Sequence, residues 1–189
     1  MNADLLVYQA KAFYNAYIAL DQLSRDDSDT LLLLFAPLVV NGAFSVELAL
    51  KAILAKNQIE YGKEHNLLIL FQMLPKSFQQ ELWAYLIEKA PEYAGSEKGL
   101  DELILLSNAF VDWRYAFEGK PVPAIESRFL AAFANAAVHT MFSYYNADLL
   151  PATKTESNNE IEQRFHENRG KCKEINLKMI QKKTKEHQL

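Results

Sequence analysis

The sequence predicts an all-α protein, an up-and-down bundle of four to five main helices followed by a polar C-terminal extension. Apolar residues recur at the spacing of a helix face along most of the chain, and no segment alternates apolar and polar residues as a strand does. Only 6 Gly and 6 Pro occur among 189 residues, fewer than the tight turns of an all-β fold require. These features favour a helical bundle.

The chain is predicted to divide at Pro151 into a bundle of residues 1–150 and a tail of residues 151–189. Half of the residues are hydrophobic, with 9 Tyr, 11 Phe and 2 Trp, so the bundle can bury a sizeable core. The bundle has 11 Lys/Arg and 18 Asp/Glu, a charge of −7, and the tail has 9 and 6, a charge of +3. Phosphate affinity depends on clustered positive charge, so any RNA contact by the bundle must be local.

The first two predicted helices form the N-terminal third of the chain. The first covers Ala3–Ser24, and the acidic loop after it ends at a helix cap, either Asp29 or Thr30. The second covers Thr30–Lys56 and is apolar nearly all round, as the central helix of a bundle should be. Because Pro37 lies inside it, we expect a kink, or a short helix followed by a longer one.

Four further helices complete the predicted bundle, with the ranges His65–Leu74, Lys76–Ala90, Asp101–Gly119 and Ala124–Asn146. Acidic residues open the third of these, where they complement the helix dipole. The tail is rich in Lys, Glu, Asn and Gln, and its apolar residues are sparse. We expect it to be a solvated extension, or else a helix that orders on a partner protein or a second copy.

The sequence predicts a cytoplasmic protein without a membrane span. The N-terminus lacks the basic start and apolar run of a signal peptide. The most apolar stretch, residues 31–43, contains Pro37 and is shorter than the roughly 20 apolar residues that cross a bilayer. Cys172 is the only cysteine, which excludes an intramolecular disulfide and a cysteine-based metal cluster.

Standard catalytic and cofactor motifs are absent from the sequence. It contains no Gly-rich phosphate loop, no GxSxG, no HExxH and no EF-hand loop. The four histidines are scattered, so no metal site and no cofactor are predicted. They are His65, His139, His166 and His187.

Glu47 and Lys51 form the first candidate site, because they lie one turn apart in the most apolar predicted helix. Glu four residues before Lys is the favourable order for a helix pair. An unpaired buried charge is very costly, so both groups need partners. The pair is therefore either an internal ion pair or part of a ligand pocket.

A second candidate combines Trp113, Arg114, Tyr115 and Glu118 near the end of the third of these helices. A carboxylate at a helix C-terminus is disfavoured by the dipole, so Glu118 needs a nearby cation, and Arg114 lies one turn away. This arrangement is either a local salt bridge or an arginine, flanked by aromatic rings, that binds phosphate or stacks on a base.

The last predicted helix carries a third candidate, a polar stripe of Arg128, Asn135, His139 and Asn146. Such a stripe is typical of the solvent face of an amphipathic helix. It is equally the pattern of a dimer seam, or of a site formed at one.

Three stretches resemble HEPN-domain proteins. Phe44–Leu54 reads FSVELALKAIL, similar to the Glu…Leu-Lys-Ala helix of that family, and Tyr61–Phe71 contains its Gly…His-polar-Leu…Leu-Phe step. Asp112–Glu118 looks like the fourth-helix region of some bacterial members. The resemblance covers about residues 1–147 and implies a helical bundle that commonly forms homodimers.

Many members of that family are metal-independent ribonucleases of toxin and phage-defence systems, with Arg followed after four to six residues by His. This sequence departs from the motif, because Arg128 is followed at that spacing by Asn135. Asparagine cannot exchange a proton near neutral pH as histidine does. His139 lies one turn further along and is the candidate replacement.

Three functions follow from the residues and the resemblance. The preferred one is a homodimeric, non-catalytic module that binds nucleotide or RNA, with Lys51 and Arg114 holding phosphate in a pocket with Glu47 and His65, and Trp113 or Tyr115 stacking on a base. The second is a ribonuclease toxin in which Arg128 stabilises charge and His139 is the acid and base. The third is a scaffold whose tail binds a partner protein.

Overall fold

The computed structural model describes residues 3–25, 28–94, 97–115 and 124–145, with the backbone alone for residues 28–33. These residues form seven α-helices, a 3-10 helix at Pro91–Tyr93 and no strand, which confirms the predicted all-α class. The predicted tail lies outside them, and its proposed role as a partner-binding segment stays a prediction. The helices are α1 (Ala3–Ser24), α2 (Ser28–Lys56), α3 (Leu67–Met73), α4 (Lys76–Lys89), α5 (Glu97–Leu106), α6 (Ala109–Arg114) and α7 (Ser127–Tyr145).

The centre of the bundle is α2. Every residue from Ser45 to Leu54 is buried, because helices α1, α3, α6 and α7 pack around this segment. Helix α4 packs against α7, so the four longest helices (α1, α2, α4 and α7) form the main bundle. A helix that is apolar on all sides needs such enclosure to hide its surface from water.

The course of α2 through Pro37 corrects one expectation. The helix continues from Ser28 to Lys56 without a break, so the predicted alternative of two consecutive helices is wrong. Proline removes a single backbone donor, and the surrounding helices outweigh that loss. The segment Leu34–Lys56 of α2 is long and apolar enough to cross a membrane, and it is longer than the apolar stretch that the sequence predicts. However, 78% of its most apolar window is buried in the bundle.

The helix predicted at Asp101–Gly119 is two helices in the described residues, α5 and α6, separated at Ser107 and Asn108. The Ser107 carbonyl accepts a hydrogen bond of 2.8 Å from the backbone N–H of Leu67, and the Asn66 side chain donates to Asn108 Oδ1 at 3.1 Å. The break therefore supplies partners for the first residues of α3. Periodicity could not reveal it, since apolar spacing continues across the break.

At Gly42, side chains of α1 and α7 pack directly against the backbone of the central helix. A Cβ atom at this position would lie 3.0 Å from a ring carbon of Tyr17 and 3.1 Å from both terminal carbons of Leu130. Both neighbours are buried, so neither has room to move away.

We expect Gly42→Leu to lower the free energy of unfolding by about 2 kcal/mol, because overpacking a dense core is destabilising. Urea denaturation measures the change. Ala84→Leu, on the exposed side of α4, is the matched control and should alter stability by less than about 0.5 kcal/mol. Equal stability of the two variants would contradict the close packing at Gly42.

Candidate functional site

Glu47 and Lys51 are both held inside the bundle by α2. Their exposed fractions are 1% and 7%, and Lys51 Nζ donates to Glu47 Oε1 at 2.7 Å. The separation of four residues places both side chains on one face of the helix. The structure thus contains the paired carboxylate and ammonium in the core that the sequence predicts.

The loop before α3 brings His65 to the same carboxylate. Glu64 Oε1 accepts hydrogen bonds from the backbone N–H groups of His65 and Asn66, at 2.8 and 2.7 Å. Asn66 then caps α3 by accepting from the backbone of Ile69 at 3.0 Å. His65 therefore lies before α3, although the sequence predicts it as the first residue of that helix. These hydrogen bonds fix its backbone.

The imidazole of His65 is oriented by Glu47. Its Nδ1 lies 2.9 Å from Glu47 Oε1, while half of the side chain remains exposed. An ionised carboxylate only accepts hydrogen bonds, so Nδ1 must carry the proton in this contact. In the neutral ring, Nε2 is then the acceptor.

Glu47 is satisfied on one side only. Oε1 receives both Lys51 and His65, whereas Oε2 is buried and has no hydrogen-bond partner among the described residues. The pKa of the Tyr61 hydroxyl is raised, first by the burial of that hydroxyl and second by the charge of Glu47. A buried acceptor without a donor costs about 1–3 kcal/mol, so this oxygen is a position where a ligand donor would be stabilised.

An aromatic platform connects this carboxylate to Arg114. The ring of Phe110 stacks on Phe44 at 4.3 Å between centroids and lies 6.5 Å from the imidazole of His65. Arg114 Cζ lies 4.8 Å from the Phe110 centroid and 4.7 Å from that of Tyr115, and Arg114 Nη2 donates to the Tyr115 hydroxyl at 3.0 Å. Two rings thus hold an exposed guanidinium in place.

We call this constellation the Glu47 site, comprising Glu47, Lys51, His65, Phe110 and Arg114. Four of its members were predicted from the sequence, and Phe110 was not. In the sequence, Phe110 is only one of the many apolar residues that recur at helical spacing. Its position one turn before Arg114 is the signal that could have suggested a contact between the two.

The other candidates lie elsewhere. The Trp113 ring packs edge-on against Phe35 at 5.0 Å, and its Nε1 is buried without a partner among the described residues. The structure therefore does not bring Trp113 to the Glu47 site, although Tyr115 is in contact with Arg114 there. Glu118 lies outside the described residues.

The proposed ribonuclease pair is separated along α7. Arg128 Nε contacts Glu92 Oε1 at 2.6 Å, and the His139 ring stacks on Tyr85 at 3.9 Å. Arg128 and His139 lie eleven positions apart on one face of α7, about 16 Å along its axis, and each is engaged by a different group. Asn146 lies outside the described residues.

Within the described residues, no group of three His, Cys, Asp or Glu side chains is placed to hold a metal ion. The Glu47 site offers an acceptor, an oriented imidazole and two cations, which can form hydrogen bonds and charge pairs.

The described chain is an all-α bundle with a polar, partly satisfied site at its central helix. Residues 38–128, from α2 to the first turn of α7, match the family model of the HEPN domain, and this match supports membership of the HEPN-domain family. No curated protein and no solved structure matches the chain at a significant level. Domains of this family are associated with nucleotides or RNA and often form dimers.

Glu47→Ala should lower the free energy of unfolding by about 3–5 kcal/mol, because it leaves the buried Lys51 ammonium without its counter-ion. Lys51→Met should also lower the free energy of unfolding, because it leaves the Glu47 carboxylate with His65 as its remaining partner. The double variant Glu47→Ala, Lys51→Met should be more stable than Glu47→Ala in urea denaturation, because it leaves no unpaired ammonium in the core. Additive losses in the double variant would show that the two charges are not coupled.

Proposed function

We propose that this protein binds a nucleotide or RNA at the Glu47 site and does not cleave it. The observation that carries the proposal is the buried Oε2 of Glu47, an acceptor without a donor, beside an oriented and half-exposed imidazole. A purely structural ion pair has no need for a third group open to solvent. A binding site needs one, because the ligand must reach it.

The ligand must present a hydrogen-bond donor to Oε2, and because this oxygen is buried, binding requires the site to open around it. Because Oε1 is already engaged by Lys51 and His65, the carboxylate offers one free oxygen and favours a single donor over a two-donor edge such as that of guanine. A ribose hydroxyl or an exocyclic base amine meets this condition. Both groups occur in nucleotides, so a nucleotide would satisfy the acceptor and would also fit the nucleotide- or RNA-related function that the family suggests.

The ligand must also carry negative charge. Arg114 is exposed, is held between two rings and has no carboxylate at ion-pair distance among the described residues. A guanidinium in fixed orientation binds phosphate with charge-assisted hydrogen bonds. Lys51, which is already paired with Glu47, is the second positive charge at the site. Tyr115, exposed next to Arg114, supplies the ring on which a base stacks, in place of the packed Trp113.

Two observations support binding without cleavage. Arg128, the arginine at the family's catalytic spacing, is paired with Glu92 at 2.6 Å, and the residue seven positions later is Asn135 instead of a histidine. Neither the amide nor a guanidinium transfers protons at neutral pH. The proposed setting is a homodimer in bacterial stress or phage defence, which comes from the family resemblance, and the cytoplasmic location is the prediction from the sequence.

Binding is tested by fluorescence anisotropy with a labelled oligoribonucleotide. Arg114→Gln removes one charge from the exposed rim of the site and should weaken binding by about tenfold or more, as expected for a charge-assisted hydrogen bond. Lys76→Gln removes an equal charge from the first residue of α4 and is the matched control, with unchanged affinity expected. Equal affinity of both variants would place the ligand elsewhere.

The absence of cleavage is tested with total RNA in EDTA at high protein concentration. We expect the RNA to remain intact, with no 2′,3′-cyclic phosphate ends. Cleavage that disappears in Arg128→Ala and His139→Ala would instead establish a ribonuclease with a variant site. Cleavage that persists in both would contradict the proposal without implicating these two residues.

A further inference from the structure

The imidazole of His65 carries a hydrogen-bond acceptor on its open edge. Glu47 Oε1 accepts the Nδ1 proton at 2.9 Å, so Nε2 of the neutral ring has a free lone pair. Nδ1 faces the buried carboxylate and half of the side chain is exposed, which places Nε2, across the ring from that contact, on the solvent side. A ligand group that meets this edge of the ring must donate a hydrogen bond.

Glu47 and His65 together present two acceptors to one ligand. The second acceptor is Glu47 Oε2, which is buried and receives no hydrogen bond from the part of the chain described. Glu47 Oε1 and His65 Nδ1 join the two groups, and a single carbon atom separates each of these atoms from the acceptor on its own side chain. The two acceptors are therefore close neighbours, and a ligand with two adjacent donors would satisfy both once the site opens around Oε2.

The neighbouring 2′- and 3′-hydroxyls of ribose are the donors in a nucleotide that fit these acceptors. A hydroxyl hydrogen rotates to suit its partner, so the pair can donate to an oxygen and a ring nitrogen that point in different directions. Carboxylates bind ribose hydroxyls in dinucleotide-binding folds as well. Adenine places an acceptor beside its amine. Guanine presents two donors that are parallel and fixed in one plane, an arrangement for both oxygens of one carboxylate, and Oε1 of Glu47 is already engaged.

Arg114 lies within reach of a phosphate on the same nucleotide. Its Cζ is 4.8 Å from the centroid of Phe110, and the imidazole centroid of His65 is 6.5 Å from that point. The guanidinium and the imidazole are thus at most about 11 Å apart, the sum of these two distances. A 5′-phosphate is attached to the ribose through one CH2 group, and a hydrogen bond of about 3 Å extends the nucleotide at either end. One nucleotide can therefore contact both side chains.

On the basis of the binding function proposed above, we propose that the Glu47 site recognises the free 2′,3′-diol of a single ribonucleotide. The hydroxyls donate to Glu47 Oε2 and His65 Nε2, and the 5′-phosphate binds Arg114. This diol occurs in a free 5′-ribonucleotide and at the 3′ end of an RNA. Within an RNA strand the 3′ oxygen is esterified, and DNA lacks the 2′-hydroxyl, so neither an internal nucleotide nor DNA offers both donors.

Recognition of the diol is tested by isothermal titration calorimetry with adenosine 5′-monophosphate and its 2′-deoxy and 3′-deoxy forms. Each deoxy form removes one donor and leaves one acceptor unpaired, so each should bind about tenfold more weakly or worse. Arg114→Gln should weaken all three nucleotides by the same factor, because it acts on the phosphate that they share. A loss of affinity for only one deoxy form would overturn the arrangement with two acceptors.

The same measurements separate recognition of the diol from the binding function on which it rests. Equal affinity for the three nucleotides, all weakened by Arg114→Gln, would overturn recognition of the diol and retain the binding site. Binding of neither the nucleotides nor the labelled oligoribonucleotide would overturn both.

The source of the diol is distinguished with a 5′-labelled oligoribonucleotide that ends in either ribose or 3′-deoxyribose, two probes of equal charge. Tighter binding of the ribose form, by about tenfold, would identify the 3′ end of RNA as the ligand. Weak binding of both forms beside tight binding of the mononucleotide would identify the free nucleotide. Equal and tight binding of both forms would contradict the proposal, because the oligoribonucleotide would then bind without its diol.

His65→Phe removes the acceptor Nε2 and keeps an aromatic ring beside Phe110. In this variant the loss of affinity for one of the two deoxy forms should disappear, while the loss for the other remains. Lys51 stays bonded to Glu47, and urea denaturation checks that the variant is folded. Unchanged losses for both forms in the folded variant would remove His65 from recognition of the diol and overturn the proposal.

Discussion

A carboxylate buried in the central helix constrains the structure around it. Helix α2 is enclosed on all sides from Ser45 to Leu54, and Glu47 lies within that segment at 1% exposure. A buried charge must find a counter-charge and donors, or the fold loses several kcal/mol. Lys51 supplies the charge from the same helix. His65 supplies a second donor, which requires the loop after α2 to return across the helix and be fixed at the start of α3 by Glu64 and Asn66.

The same constraint is the basis of the binding function that we propose, because it is only partly met. Two donors bind Oε1, and none of the described residues donates a hydrogen bond to Oε2. One oxygen of the buried carboxylate is therefore an acceptor without a donor in the described residues. His65, half open to solvent, contacts this carboxylate, and Arg114 is positioned by two rings, one of which also lies near His65. A ligand with a negative charge and a hydrogen-bond donor would complement these groups, and the nucleotide or RNA that we propose has both. The HEPN-domain match suggests a nucleotide- or RNA-related function as well.

Much of the fold and part of the site follow from local sequence rules. The four longest helices could be predicted because their apolar periodicity and their Gly and Pro boundaries act over a few residues. The Glu47–Lys51 contact was predictable for the same reason, since helix geometry alone joins residues four apart. The approach of His65 could not be derived from local spacing, because 18 residues separate it from Glu47. The break between α5 and α6 depends on hydrogen bonds to Leu67 and from Asn66, about forty residues away, which no local pattern encodes.

The tautomer of His65 tests the central claim most directly. Long-range ¹H–¹⁵N NMR distinguishes the two ring nitrogens, and His65→Gln identifies the signals among the four histidines. The account predicts that Nδ1 of His65 is protonated in the free protein, with Glu47 as its acceptor, and that the ring signals shift when a ribonucleotide is added. A neutral ring protonated only at Nε2 would contradict the contact, because a carboxylate cannot donate to Nδ1. The predicted tautomer with signals unmoved by saturating nucleotide would retain the structural role of Glu47 and remove the ligand from this site.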